Sequence, residues 1–249
     1  MSEAETVITG EDSEPANQAT QDVTPGYWSS VWAIVWKDFT VERHTRQLLG
    51  VMLVFSLTTV VVFNFALYGE LSAAREVASG FLWITILLAG TLGLNRSLST
   101  EQENRSIEAV LIAPIDRSAI YVGKVISVTA FTLLVELLLV PVFIAVFNKP
   151  FWRLPVLAIL FLGTVGYIAA GVLVTSMSIQ TKAREVLLPV LLLPLTLPSV
   201  LAASQVTAAY LLPEPPPWSE IQFAVALVVA YDILMLTAGF LTYHFVVED

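Results

Sequence analysis

The chain has 249 residues, of which 56% are hydrophobic and 13% charged, and its formal net charge is −9. One soluble core of this length does not hide that much apolar surface, so lipid is the expected solvent for most of the chain. The complete absence of cysteine excludes disulfides, thiolate metal sites and covalent haem attachment to this chain.

Six of the acids, Glu3, Glu5, Glu11, Asp12, Glu14 and Asp22, precede Tyr27 with no Lys or Arg among them, so the remainder is nearly balanced at 15 acids against 12 bases. Residues 1–26 are otherwise Ser, Thr, Gln and Pro with few apolar side chains, too little to offset the entropy of ordering, and read as a disordered acidic tail. They lack the basic start and apolar core of a secretory signal. Residues 27–249 read as one membrane domain.

Trp28, Trp32, Val35, Trp36 and Phe39 recur at three- and four-residue steps, with Ser29, Lys37 and Arg43 elsewhere around the wheel. This predicts a helix lying at the headgroup level and leading into a span near Leu48; the plainer reading is an amphipathic helix packed on protein.

A span needs roughly 20 apolar residues to cross about 30 Å of hydrocarbon. Charge-free intervals of 23, 19, 28 and 28 residues lie between Arg46 and Glu70, Glu76 and Arg96, Arg153 and Lys182, and Glu185 and Glu214. Two further intervals, Lys124 to Lys149 and Glu220 to Glu248, hold one acid each, Glu136 and Asp232. The six predicted spans are about 48–68, 77–95, 119–147, 154–178, 186–210 and 221–246. They lack the alternation of barrel strands, so the fold class is an all-α membrane bundle.

Nine bases, Lys37, Arg43, Arg46, Arg96, Arg105, Arg117, Lys124, Lys182 and Arg184, fall in alternate connections, and only Arg75, Lys149 and Arg153 in the others. The positive-inside rule then places both termini in the cytoplasm. In the connection from about Ser97 to Ser118, Thr100 and Glu103 form a capping box, and Ile107, Val110 and Leu111 give one apolar side to a short helix ending before Pro114. Such a helix, carrying Glu101, Glu103, Arg105 and Glu108, has the shape of a coupling element for a soluble partner; a solvated connector is the bland alternative. The run Pro213-Glu214-Pro215-Pro216-Pro217-Trp218 predicts a stiff extended spacer. In the fifth span Pro189 fits a first turn, whereas Pro194 and Pro198 each remove a backbone hydrogen bond, predicting a kink or break that either lines a path or is merely structural.

Glu136 and Asp232 stand near the middle of the third and sixth spans, where an ionised carboxylate costs about 2.5–3.5 kcal/mol. No Lys, Arg or His lies at matching depth, so each acid is expected to face the bundle interior, as a proton or substrate relay or as the acceptor of an interhelical hydrogen bond. Only His44 and His244 are present, both at span ends, which disfavours a haem or metalloprotease site in the membrane. Gly123-Lys124 is no phosphate-binding loop, because Ser118 stands where that motif has Gly and Val125 follows the Lys. No catalytic, cofactor-binding or metal-binding site is expected in this chain, and no nucleic-acid partner. Energy from nucleotide hydrolysis would come from another chain.

Five stretches carry a family resemblance: Trp36-Lys37-Asp38-Phe39 with Glu42, Arg43 and Arg46; Gly93-Leu94-Asn95-Arg96-Ser97 with Glu101; Leu111 through Lys124; Glu136 with Pro141; and Ala183-Arg184-Glu185-Val186-Leu187-Leu188-Pro189. From about Ser30 to Val247 the chain resembles the CcmB family, the permease subunit of the ABC-type haem exporter of cytochrome c maturation. The resemblance implies a type-2 exporter (ABC-2) architecture in a bacterial inner membrane, with six spans, an interfacial helix before the first and a coupling helix between the second and third. It further implies a homodimer, docking on the ATPase CcmA, and association with CcmC, CcmD and the haem chaperone CcmE. ATP would then be held by the ATPase and haem by the other partners, and the cycle would release haem-loaded chaperone or move substrate. The acidic tail departs from that pattern. Two other readings are a non-transporting scaffold for assembly proteins and a proton-coupled secondary transporter using Glu136 and Asp232; no inverted repeat is visible to support the latter.

Overall fold

The computed structural model describes residues 26–67, 71–103, 116–177 and 184–246. The acidic tail, and most of the connection that holds Arg105 and Glu108, lie outside the described residues. Seven helices are present among them: α1 (Tyr27–Thr45), α2 (Gln47–Ala66), α3 (Leu71–Glu103), α4 (Arg117–Phe147), α5 (Leu154–Met177), α6 (Arg184–Tyr210) and α7 (Trp218–Val246). Helices α2 to α7 are each long and apolar enough to cross a bilayer, and α3 runs six residues before and eight residues beyond the expected span 77–95.

Helix α5 is the axis of the bundle, packing on α3, α4, α6 and α7. Two-thirds of its span is buried, as in α3, against 22% for α2 and 28% for α7. Lipid-facing Leu and Val account for the difference, since a span at the edge has no protein to cover it. Close approach to α5 depends on small residues, as is usual where lipid supplies no hydrophobic drive between helices. A Cβ on Gly163 would stand 2.4 Å from the Trp83 ring of α3. Trp83 is buried there and donates its indole N–H to Thr207 Oγ1 of α6 at 3.0 Å. Tyr167 of α5 donates to the Leu87 carbonyl at 2.8 Å and meets Thr91 Oγ1 at 2.9 Å, and the Tyr121 hydroxyl of α4 reaches the carbonyls of Ala169 and Met235. These polar pairs satisfy buried groups that have no water to turn to.

The helix ends are fixed by local chemistry. Asp116 caps α4, its carboxylate accepting from the Ser118 N–H at 2.9 Å and the Ser118 hydroxyl at 2.7 Å. At the other end of the bundle the Arg153 guanidinium donates to the carbonyls of Tyr210 and Leu212, both at 2.6 Å, closing the C-terminus of α6.

Two expectations need correction. Thr100 does not start a helix: α3 runs unbroken through Thr100 and Glu103. A capping box signals a start only where the preceding chain is not already helical, and no Gly or Pro interrupts residues 94–103. Helix α6 likewise runs unbroken from Arg184 to Tyr210 through Pro189, Pro194 and Pro198, so no break opens there. Pro189 is the sixth residue of the helix and not in its first turn, so the three prolines take donors from the carbonyls of Glu185, Val190 and Pro194, but packing against α3, α5 and α7 holds the helix, and the Thr196 hydroxyl adds a bond to the Leu192 carbonyl at 2.9 Å.

Candidate functional site

Two places concentrate polar chemistry: the level of α5 where both membrane acids meet it, and the joint between α1, α2 and α4. Glu136 and Asp232 are both buried. Glu136, on α4, accepts a hydrogen bond from the Thr164 hydroxyl of α5 at 2.5 Å, which is the interhelical bond expected of it. Its side chain also lines a cavity of about 310 Å³ between α4 and α5, together with Leu137, Pro141 and Trp152. Asp232, on α7, behaves differently: neither carboxyl oxygen meets a hydrogen-bond donor among the described residues. Its Oδ1 occupies the space a side chain on Gly166 would fill, since a Cβ there would stand 1.9 Å away.

Thr164 and Gly166 are two residues apart on α5, so they lie about 200° around its axis and about 3 Å along it. The two acids therefore reach the same level of α5 from nearly opposite sides, separated by the helix itself. They are not a joined pair. The sequence placed both in mid-membrane but could not show that one is satisfied and the other is not, because Thr164 and Gly166 are distant in the chain.

The joint at the other site rests on residues that sequence reasoning noted without assigning. Asp38 of α1 forms an ion pair with Lys124 of α4 at 3.0 Å, with side chains only 10% and 11% exposed, and a second with Lys37 at 3.2 Å. Gly123 makes the approach possible: a Cβ there would stand 2.9 Å from Ile34 and 3.2 Å from the Val31 carbonyl. Gly123-Lys124 is thus a docking seat for α1. Four residues beyond Asp38, and so on the same face, Glu42 is buried and accepts the N–H groups of Leu49 at 2.8 Å and Leu48 at 3.2 Å. A side chain of α1 therefore caps α2. Arg46, the single residue between the helices, takes the left-handed conformation with φ 52°, and its N–H bonds the Glu42 carbonyl at 2.7 Å. That conformation costs an L-residue roughly 1–2 kcal/mol, offset here by the cap. The signal that could have found the joint is the i, i+4 spacing of Asp38 and Glu42 opposite a lone Lys at the mouth of the third span.

The two faces of α1 differ. Val31, Ile34 and Val35 are buried against the bundle, whereas Trp28, Trp32 and Trp36 are well exposed, the posture of a helix at the headgroup level. Val35 thus belongs with the packed face rather than the tryptophans. Glu101 and Glu103 fall in the last turn of α3; Arg105 and Glu108 lie outside the described residues. Among the described residues no three of His, Asp and Glu cluster as metal ligands would.

The family model for "CcmB protein" matches residues 29–241, which reach into all seven helices just described. The chain belongs to the CcmB family. Its curated relatives include heme exporter protein B of Rhodobacter capsulatus, 30% identical over 158 residues, 63% of this chain and 72% of that one. The corresponding proteins of Pseudomonas aeruginosa and Escherichia coli K12 are each 28% identical, covering 61% and 68% of this chain and 69% and 79% of their own lengths. This CcmB-family chain is a multi-pass membrane protein, with six span-length helices among its described residues. Three of its family-like stretches have visible duties: Asp38, Glu42 and Arg46 build the joint, Asp116 to Lys124 cap and seat α4, and Glu136 ties α4 to α5.

Proposed function

We propose that this chain is the permease subunit of an ATP-driven haem exporter serving cytochrome c maturation in a bacterial inner membrane, working with an ATPase on a separate chain. Membership of the CcmB family, through relatives named heme exporter protein B, carries this reading. The distribution of Lys and Arg supports α1 and the connection after α3 lying on the cytoplasmic face. There a CcmA-like ATPase docks on Glu101, Glu103, Arg105 and Glu108, and its cycle rocks a homodimeric bundle. ATP stays on that partner. Haem is handled by CcmC-like and CcmD-like proteins, and the cycle releases a haem-loaded CcmE-like chaperone or moves substrate. The chain itself supplies conformational change rather than bond chemistry.

Affinity purification from native membranes in mild detergent, followed by mass spectrometry, tests this directly. An ATPase recovered with haem-handling proteins is expected; isolation of the chain alone, where other complexes survive, would remove its energy source. Reversing charges at Glu101 and Glu103 is expected to uncouple hydrolysis from maturation without unfolding the chain. Maturation that persists with a hydrolysis-dead ATPase would favour a scaffold instead. One observation favours a proton-coupled reading, the buried Asp232 carboxyl without a donor; full function in Asp232→Asn would dispose of it.

A further inference from the structure

Beside the joint, helices α1, α2 and α4 enclose a groove of about 640 Å³, whose lining includes Trp36, Phe39, Leu49, Leu53, Phe131 and Leu134. Its size falls within the roughly 300–1,000 Å³ of sites that hold small apolar ligands. The walls are almost wholly apolar, but Arg43 and Arg46 stand at its rim. Both are exposed, and neither has an acid partner among the described residues. Glu42 also borders the groove, yet its carboxylate is engaged by the N–H groups of Leu48 and Leu49. Asp38 is held between Lys37 and Lys124. The charge left over at the rim is positive.

The groove opens where α1, with its outward tryptophans, meets α2, the least buried span. That is the level at which a phospholipid places its phosphate, with its chains continuing along the apolar flank of a span. We infer that this groove is a binding site for an anionic phospholipid, its headgroup held by Arg43 and Arg46 and an acyl chain lying against Leu49, Leu53 and Phe131. Basic pockets between spans on the cytoplasmic side recognise anionic lipids by this combination of charge and apolar depth. A bound lipid would wedge the angle between α1 and α2 beside the Glu42 cap.

The test uses the full purified chain, stripped of lipid, with native mass spectrometry during titration with phosphatidylglycerol or phosphatidylcholine of identical acyl chains. The native chain is expected to retain phosphatidylglycerol about tenfold or more over phosphatidylcholine. Arg43→Gln with Arg46→Gln should erase that preference while leaving phosphatidylcholine retention unchanged, and Lys149→Gln, at the far end of α4, should leave both unchanged. Leu53→Trp, which fills the groove and keeps both arginines, should lower retention of both lipids. Equal retention of the two lipids by the native chain would overturn the inference, as would a preference that survives the double Gln substitution. Should the double Gln variant fail to fold, Leu53→Trp decides alone: phosphatidylglycerol retained at the native level in that variant refutes the site.

Discussion

Replacing Gly166 by alanine should destabilise the bundle even though alanine is the better helix former. A Cβ at position 166 would stand 1.9 Å from Asp232 Oδ1 and 2.9 Å from its Cγ, where ordinary van der Waals contact begins near 3.4 Å. A carboxyl on a short side chain, buried between α5 and α7, must retreat by about 1.5 Å, and overpacking of this kind costs about 1–3 kcal/mol. Intrinsic helix propensity returns at most about 1 kcal/mol, so a net loss of about 1–2 kcal/mol is expected. Gly80 supplies the control: a Cβ there meets nothing within 4 Å, so Gly80→Ala should be neutral or slightly stabilising. Asp232→Ala removes the obstacle, and the double variant Gly166→Ala/Asp232→Ala should show a coupling of about 1 kcal/mol or more. Thermal unfolding in detergent, followed by tryptophan fluorescence, measures all four variants. A Gly166→Ala protein that melts at or above the native temperature, or strict additivity in the cycle, would refute the packing argument.

Glu42→Ala should cost about 2 kcal/mol, because it strips the cap from α2 and leaves the buried Leu48 N–H and the part-buried Leu49 N–H unpaired; Glu42→Gln should cost about half as much, and amide exchange at Leu48 and Leu49 should rise in both. Glu136→Gln keeps an acceptor for the Thr164 hydroxyl, so stability within about 0.5 kcal/mol of native and normal activity in the proposed role are expected; a well-folded but inactive variant would mean that the acid's proton is used. Asp38→Ala removes a nearly buried, charge-assisted bond to Lys124 and should cost about 1.5–3 kcal/mol by thermal melting, whereas removing both charges should recover part of that loss.

The span count was legible because it depends on one-dimensional quantities, the length of charge-free runs and the placement of Lys and Arg, and a bilayer imposes both. The breaking power of Pro194 and Pro198 was overestimated for the opposite reason: a proline removes one local bond, while the neighbours that hold α6 together come from three other helices. The same limit hid the partners of the acids. Nothing near Glu136 in the chain announces Thr164, and nothing near Asp232 announces Gly166, yet those two residues decide which carboxyl is satisfied. At the joint the residues were in view, and only their pairing was missing: Gly123-Lys124 was weighed as a phosphate loop and rejected, when its small and basic side chains serve α1.

The joint also determines how force can enter the bundle. Helix α1 is tied to α4 through Asp38 and Lys124 and to α2 through the Glu42 cap, with one residue of chain between α1 and α2. A tilt imposed on α1 must therefore move α2 and α4 with it or break a buried bond. Further along α4, Glu136 is bonded to α5, so the same motion is delivered to the central helix at the level where Asp232 touches its other side. Across the α5–α7 contact the acid makes no hydrogen bond, only packing against Gly166. Hydrogen bonds and ion pairs link α1, α2, α4 and α5, and α7 is held to α4 by the Tyr121 hydroxyl on the Met235 carbonyl, whereas Asp232 itself meets α5 by packing alone. If α1 carries load from an ATPase, cross-linking α1 to α4 should preserve hydrolysis-coupled export, while locking α5 to α7 at the level of Gly166 should abolish it.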